Sequence, residues 1–289
     1  MAVDSFAHKA IVANTSDGTV AVVDLVAQSL EATIPVGPNL RPTGVAVDPG
    51  LRFAYVVSSK ESVDNSSTLS IIDLSVNRVT ATIPTGKNSS GVAVDTGTHT
   101  VFVVDTDDSK APAALSNHSF LTIVDPVRQT IVDTVQAGIQ AMSMVIDPVT
   151  HYGYLASYSD ASVVVVDTVT HTVDGSIPVG SMPYAVALDT SAHTLYVPSA
   201  AGVALIDTTS RARTAVIDPG CDVHAITVDP TVHRAYTACL LDNHVQVIDP
   251  VSGAVAESLE VKTSHGLAVD PKTHTLYVHG IDKLAVIKR

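Results

Sequence analysis

Short apolar runs alternate with turn residues along the whole chain, and the clearest example lies between Thr43 and Gly86. Four runs rich in Val, Ile and Thr follow one another there, separated by Asp, Pro, Gly or Asn. Runs of this length and composition, with such punctuation, are typical of β-strands joined by tight turns. The segment therefore predicts a four-stranded antiparallel sheet, whose strands we call a, b, c and d in chain order.

The four-strand pattern occurs seven times. The Asp that closes strand a returns at intervals of 40 to 52 residues, as Asp4, Asp48, Asp95, Asp147, Asp189, Asp229 and Asp270. A second Asp closes strand c, as Asp24, Asp73, Asp125, Asp167, Asp207 and Asp249. Four strands in a period of about 40–45 residues are the signature of a β-propeller blade. The prediction is an all-β, seven-bladed β-propeller with four-stranded antiparallel blades and an incomplete last blade, because the chain ends after strand c of copy seven.

We expect the whole chain, residues 1–289, to form a single β-propeller domain. The chain is longer than most single domains, but closed propellers are an exception to the usual domain length. The predicted blades are approximately 1–37, 38–86, 87–138, 139–180, 181–217, 218–262 and 263–289.

Several phrases within the repeat carry a resemblance to a known family. They are the strand b phrases YVVS at Tyr55, YLAS at Tyr154 and YVPS at Tyr196, together with GVAVDP from Gly44 and ATIPVG from Ala32. These phrases resemble the YVTN-repeat β-propeller family over the whole chain. The resemblance implies the propeller fold and leaves the activity open, because such propellers include lactonases, lyases that open streptogramin antibiotics, and proteins without known activity.

Composition narrows the classes of partner. The formal net charge is −13, from 16 basic and 29 acidic residues, and no basic stripe is present to neutralise phosphates. We therefore expect no nucleic acid and no membrane partner, and a soluble monomer that acts on a small molecule. The sequence pattern predicts no signal peptide within the given chain, and we expect an extracytoplasmic location if a leader was trimmed.

Loop lengths point to one face of the predicted propeller. The b–c loops are longest in copies two and three, around Ser59 to Ser67 and Thr106 to His118. Insertions on one face of a repeat protein often mark its binding face, so we expect these two to cover part of the channel mouth. We expect their charged side chains to be solvated: Lys60, Glu61, Asp105, Asp107, Asp108 and Lys110.

The repeat separates structural histidines from candidate functional ones. Six of the 12 His share one a–b turn position and are predicted to be structural: His8, His99, His151, His193, His233 and His274. His171, in a c–d turn, is assigned to the same class. Five others lie at strand ends on the mouth side: His118, His224, His244, His265 and His279.

The residue five places before the Asp of strand a is expected to line the channel mouth. In copies two to seven it is Thr43, Ser90, Met142, Tyr184, His224 and His265. Strand pairing would place His224 opposite Cys239, Cys239 opposite His244, and His279 beside Gly266. This predicts one crowded sector with His224, His265 and Tyr184 as catalytic residues. The predicted substrate-binding residues are Arg41, Thr43, Ser90, Met142, Cys239, His244, His279 and His118.

Three interpretations of this sector remain open. The first is general acid/base chemistry by His and Tyr without an organic cofactor, of the lyase, lactone hydrolase or condensation and cyclisation type. The second is a zinc or copper site with His224, His265, Cys239 and His244 as candidate ligands. The third is a structural disulfide between Cys221 and Cys239 with the His as polar lining. A non-catalytic propeller that binds a ligand or a protein is the alternative from another class.

One feature of the streptogramin lyases has no clear counterpart in this sequence. The streptogramin lyases pair a His with a Glu and magnesium, and of the four Glu only Glu61 is placed near the mouth by the repeat.

Overall fold

The computed structural model describes residues 1–60, 65–106, 118–239, 243–261, 266–280 and 284–289. These residues form 27 β-strands. Within the same ranges no helix is long and apolar enough to cross a membrane.

The strands form seven antiparallel sheets in chain order. The first three are β1 (Ala2–Asp4), β2 (Lys9–Asn14), β3 (Thr19–Asp24), β4 (Ser29–Pro35); β5 (Leu40–Asp48), β6 (Phe53–Lys60), β7 (Ser66–Asp73), β8 (Arg78–Lys87); and β9 (Gly91–Asp95), β10 (Thr100–Thr106), β11 (His118–Asp125), β12 (Thr130–Ile139). The next two are β13 (Ala141–Asp147), β14 (Tyr152–Ser157), β15 (Ser162–Asp167), β16 (Thr172–Pro178); and β17 (Ala187–Asp189), β18 (Thr194–Ser199), β19 (Gly202–Asp207), β20 (Ala212–Ile217). The last two are β21 (Val223–Asp229), β22 (Arg234–Cys239), β23 (His244–Asp249), β24 (Ala254–Glu260); and β25 (Gly266–Asp270), β26 (Thr275–His279), β27 (Leu284–Lys288).

This architecture is an all-β seven-bladed propeller, and it confirms the predicted fold. Within the described ranges six blades have four strands, and the last has the three strands β25, β26 and β27. Within each four-stranded blade the sequence order a, b, c, d is also the spatial order. The edge of a blade at which strand b ends and strand c begins is called the b–c edge below.

The chain divides into two compact units. Unit 1 comprises Met1–Gly153 and Val166–Asp174, and unit 2 comprises Tyr154–Val165 and Gly175–Arg289. In unit 1 an apolar core joins the second and third blades through side chains such as Tyr55, Leu69 and Val103. In unit 2 an equivalent core around Tyr236, Val247 and Leu276 joins the last two blades.

Strand b is buried in every blade and strand c is buried or half-buried in the four-stranded blades, whereas strand d is exposed. In the last blade strand c, β27, is the edge strand and has no buried residue. The central five residues of β10 are all buried, but β16 exposes all except one of its residues. Strands b and c lie in the middle of each four-stranded blade, where their two faces meet apolar side chains. This explains why their sequences are nearly continuous apolar runs without the polar alternation of a one-sided sheet.

The strand a Asp residues tie neighbouring blades together through the a–b turn histidines. In each pair the Nδ1 atom of a His bonds the Oδ2 atom of the Asp in the preceding blade, at 2.6 to 2.9 Å. The pairs are His99 with Asp48, His151 with Asp95, His233 with Asp189, and His274 with Asp229. We call these pairs the His–Asp staples. They confirm the structural assignment of these four histidines.

Asp105 differs from the expectation for a solvated charge at a mouth insertion. It is fully buried at the end of β10, where it accepts hydrogen bonds from the hydroxyls of Ser89 and Thr122. A Cβ atom at Gly86 would lie 2.8 Å from the Cβ of Asp105, so this Gly packs directly on the acid. Burial raises the pKa of Asp105 above its ordinary value, although these hydrogen bonds act in the opposite direction.

The two kinds of buried Asp predict opposite effects of pH on stability. Burial alone raises the pKa of Asp95, but hydrogen bonds from Thr168, His151 and Gly97 outweigh it and hold this pKa below its ordinary value. Asp95 therefore stabilises the fold above about pH 4, and this contribution is lost as the pH falls through the lowered pKa. Asp105 has a raised pKa, so it takes up its proton in the folded state first and favours folding as the pH falls toward about 4.

Urea unfolding between neutral and acid pH tests these signs. We expect Asp95→Asn to reduce the loss of unfolding free energy below about pH 4, by at most about 1.4 kcal/mol per pH unit. Asp105→Asn removes a contribution that grows as the pH falls toward about 4. The unfolding free energy of this variant is therefore expected to fall more steeply than that of the wild type on acidification from neutral pH to about 4. Identical pH dependence of the unfolding free energy in the two variants would contradict the opposite pKa shifts of Asp95 and Asp105.

Candidate functional site

Three aromatic side chains of unit 2 lie in a row. The rings of Tyr184 and His224 are stacked, with centroids 5.7 Å apart and an angle of 17° between their planes. The ring of Tyr158 lies on Tyr184 at 5.4 Å with a tilt of 54°. We call Tyr158, Tyr184 and His224 the aromatic row. The structure thus brings together the two described members of the predicted catalytic set.

A β-bulge positions His224. Val223 pairs with Cys239 and Ala225 pairs with Ala238, so His224 is the extra residue between two regular pairs. The expectation that His224 lies opposite Cys239 is therefore wrong by one residue. A bulge redirects the side chain of its extra residue, and here the imidazole is exposed and stacks on Tyr184.

Tyr184 lies in the irregular segment that leads into β17, next to the buried Pro183. Burial, the neighbouring Tyr158 and the negative charge of Asp222 raise the pKa of Tyr184 above its ordinary value. Its hydroxyl donates toward the Sδ atom of Met182 at 3.9 Å. A phenol with a raised pKa stays protonated at neutral pH, so Tyr184 is available as a hydrogen-bond donor and not as a base.

Cys221 and Cys239 form a disulfide next to the aromatic row. Their Cα atoms are 5.6 Å apart, within the range that disulfides require. This confirms the disulfide that the sequence left as one of three alternatives. Cys239 is fully buried and carries no thiolate while the bond exists, so the predictions of Cys239 as a metal ligand and as a substrate contact lose their chemical basis.

Two other histidines of unit 2 lie at the b–c edge of their blades. His244 begins β23 and pairs across to Glu260, which ends β24. His279 ends β26 and pairs with Gly266, as the register predicted. Both imidazoles are half-buried.

The structure also locates two residues that the sequence reasoning missed. One is Glu260, which lies at the b–c edge because the end of strand d pairs with the start of strand c. The sequence reasoning had placed only Glu61 at this edge. Tyr158 follows the YLAS phrase directly, and its position after strand b of copy four was the available signal.

The candidate metal ligands lie only partly within the described residues. His265, the third predicted catalytic residue, lies outside them, as does Glu61. Among the residues that the structure describes, no group of three or more His, Cys, Asp or Glu side chains has the arrangement needed to hold a metal ion.

Thr43 and Ser90 of unit 1 have clear structural roles. The Thr43 hydroxyl donates to the carbonyl of Ser89 at 3.3 Å, and the Ser90 hydroxyl donates to the carbonyl of Ala141 at 2.9 Å. Each hydroxyl thus links its strand a to the start of the next blade. This link explains why the two residues share a register, and their predicted contact with a substrate stays a prediction.

The other predicted contacts of unit 1 are spread over different blades. Arg41 is exposed on β5 and lines a cleft of about 670 Å³ together with Asp17 and Asn39. Met142 is 38% exposed on β13. His118 begins β11, is half-buried and pairs with Ile139. Most of the two predicted mouth insertions, residues 61–64 and 107–117, lies outside the described residues.

Fold and site together define a seven-bladed β-propeller with an aromatic and histidine surface at one set of blade edges. The chain is similar over its whole length to a chain of the hydrazine synthase of Kuenenia stuttgartiensis, with a TM-score of 0.82, 15% identity and 94% of that chain covered. It is also similar to a chain of a mitotic checkpoint complex, with a TM-score of 0.80, 13% identity and 86% of that chain covered. At such identities the similarity shows the fold alone. No protein-family model and no curated protein matches the sequence.

Proposed function

We propose that the aromatic row is the centre of a small-molecule site that works by proton transfer. The stacking of His224 on Tyr184 is the observation that carries this proposal. It joins two side chains of complementary chemistry on neighbouring blades of unit 2, at a register position whose residue varies between copies.

The two side chains suit different roles in one reaction. Imidazole exchanges a proton near neutral pH, so His224 is the general base or acid. Tyr184 keeps its phenolic proton because its pKa is raised, and it donates a hydrogen bond that polarises a carbonyl or ester oxygen of the substrate. Tyr158 extends the apolar face beside them, where a planar or apolar part of the substrate packs.

This division of roles fits three reaction classes that need no organic cofactor: elimination by a lyase, hydrolysis of a lactone, and condensation or cyclisation. The YVTN-repeat resemblance supports the first two, because that family includes lyases and lactonases. One structural neighbour is named as a synthase and the other as a checkpoint complex, so the fold accommodates both catalysis and assembly.

A library of small lactones, esters and elimination substrates tests the proposal, with products detected by mass spectrometry. We expect turnover by the wild-type protein and a decrease in kcat/KM of about 10²–10⁴-fold for His224→Gln. Tyr184→Phe keeps the ring and removes the donor, so it is expected to lower kcat more than it raises KM. His171→Gln is the matched control, because His171 bonds Asp133 on the surface of unit 1.

Two outcomes would contradict the proposal. Turnover that His224→Gln leaves unchanged would place the chemistry elsewhere. Compounds that bind to the aromatic row without any turnover would favour the non-catalytic binding propeller. Plasma mass spectrometry of the same preparations tests the zinc or copper alternative, since stoichiometric metal that is lost from a His224→Ala/His265→Ala variant would replace proton transfer by metal-assisted chemistry.

A further inference from the structure

The a–b turn of the second blade departs from the repeat. The residue at the position of the staple histidine is Arg52, while the other six copies have His. The backbone is unchanged, because all seven residues have a φ between 51° and 61°. The carbonyl of Arg52 accepts from Leu74 N at 2.9 Å, as the carbonyl of His151 accepts from Thr168 N. Only the side chain differs, so the turn does not require this substitution.

The substitution leaves a buried acid without its staple. Asp4, in the preceding blade, is 1% exposed, and its Oδ1 atom accepts from the backbone N–H groups of Phe6 and Ala7. In the four observed staples the Oδ2 atom of the equivalent Asp accepts from an imidazole. No described side chain donates a hydrogen bond to Oδ2 of Asp4. Asp4 Oδ2 is not one of the described buried side-chain atoms that lack a partner, and Asp4 lines a cleft, so this oxygen is open to the cleft and can accept a hydrogen bond from a ligand there.

A cleft of unit 1 opens at this acid. Its volume is about 650 Å³, within the range of small-molecule sites. It is lined by Asp4, Phe6, Ala7, Lys9, Pro49, Gly50, Arg52, Leu74 and Ser75. The cleft therefore combines a buried acid with two basic side chains and an apolar wall that contains Phe6, which is 74% exposed, and the buried Leu74.

The two basic side chains of the cleft are in different states. Lys9 is neutralised, because its Nζ atom bonds Glu31 Oε1 at 2.8 Å and the carbonyl of Leu74 at 3.3 Å. The exposed guanidinium of Arg52 has no ion pair with another described residue. The cleft thus presents one acceptor for an N–H group, at Asp4, and one group suited to a carboxylate, at Arg52.

We propose that this cleft binds a small zwitterion of the imidazole amino-acid type. The imidazole N–H donates to Oδ2 of Asp4, in the place that a staple histidine fills elsewhere, and the ligand carboxylate pairs with Arg52. The site is separate from the aromatic row, and the inference does not depend on the proposed function.

Calorimetric and NMR titration with imidazole and with L-histidine tests the inference. We expect both probes to bind the wild-type protein at millimolar concentration, L-histidine more tightly. Arg52→His restores the residue of the repeat, so its own imidazole should fill the Asp4 position and weaken both probes at least about tenfold. Because this variant completes a staple, its thermal stability should be unchanged or higher, which separates lost binding from lost folding.

Two further variants test the ligand's contacts with Arg52 and with Asp4 separately. Arg52→Ala is expected to weaken L-histidine and leave imidazole unchanged, while Asp4→Asn is expected to weaken both. Asp24→Asn, at an exposed turn of the same blade, should leave both affinities unchanged. Absence of binding to the wild-type protein would overturn the inference, and so would undiminished binding to Arg52→His.

Discussion

Asp95→Ala is expected to lower the free energy of unfolding by about 4 kcal/mol. The side chain is fully buried, and its Oδ1 atom accepts from the N–H groups of Gly97 and Thr98. Its Oδ2 atom accepts from His151 at 2.8 Å and from Thr168 at 2.7 Å. Removing the carboxylate leaves donors from two blades without their acceptor, and each such loss costs about 1–3 kcal/mol.

Equilibrium urea unfolding measures this loss, and Asp73→Ala is the matched control. Asp73 closes strand c, where its carboxylate accepts hydrogen bonds within its own exposed turn, from the backbone N–H groups of Ser75 and Val76 and from the Ser75 hydroxyl. We expect its removal to cost about 1 kcal/mol. Equal costs for the two variants would show that the His–Asp staples do not hold the blades together.

The second large effect is expected from the disulfide. Replacing both Cys221 and Cys239 by Ser should lower the free energy of unfolding by about 3 kcal/mol, because the bond closes a loop with a sequence separation of 18 residues. The double replacement leaves no free thiol that could form other bonds. It also loosens the start of β21, since Val223, next to His224, pairs with Cys239.

Unfolding with and without a reducing agent gives the internal control for the disulfide. The reduced wild-type protein should become as unstable as the double variant, and the variant itself should not respond to the reducing agent. A wild-type protein whose stability is unaffected by full reduction would contradict this role of the bond.

The fold was predictable because its turns are encoded locally. The four runs of copy two, from Thr43 to Gly86, correspond to β5, β6, β7 and β8, and the Asp residues that end β5 and β7 accept hydrogen bonds from their own turns. Side chains at such positions satisfy backbone groups two or three residues away, so their spacing can be read without any knowledge of the tertiary structure.

The site was only partly predictable, because its details depend on packing between blades. Counting from Asp189 and Asp229 brought Tyr184 and His224 together correctly. The bulge at His224 shifted its partner by one residue, and nothing in the local sequence marks that bulge. The burial of Asp105 was missed for a similar reason, since its partners are distant in sequence: Ser89 lies between β8 and β9, and Thr122 lies in β11.

Arg52 shows a different limit of sequence reasoning. Its place in a column of histidines is visible in the sequence, but a single substitution there has many explanations. The structure supplies the missing facts, namely that Asp4 is buried and that the turn keeps its backbone conformation. Arg52 indicates a ligand site only once the burial of Asp4, the acid that a histidine would bond at this position, is known.

The proposal that the aromatic row performs the function is tested most directly by a crystal structure with a bound compound. The best substrate from the library, or an unreactive analogue of it, would be used for co-crystallisation. We predict contact with the ring of Tyr184 and a hydrogen bond of about 2.6–3.2 Å between His224 and the reacting group. A compound bound away from Tyr158, Tyr184 and His224, with these three side chains facing only solvent, would contradict the proposal.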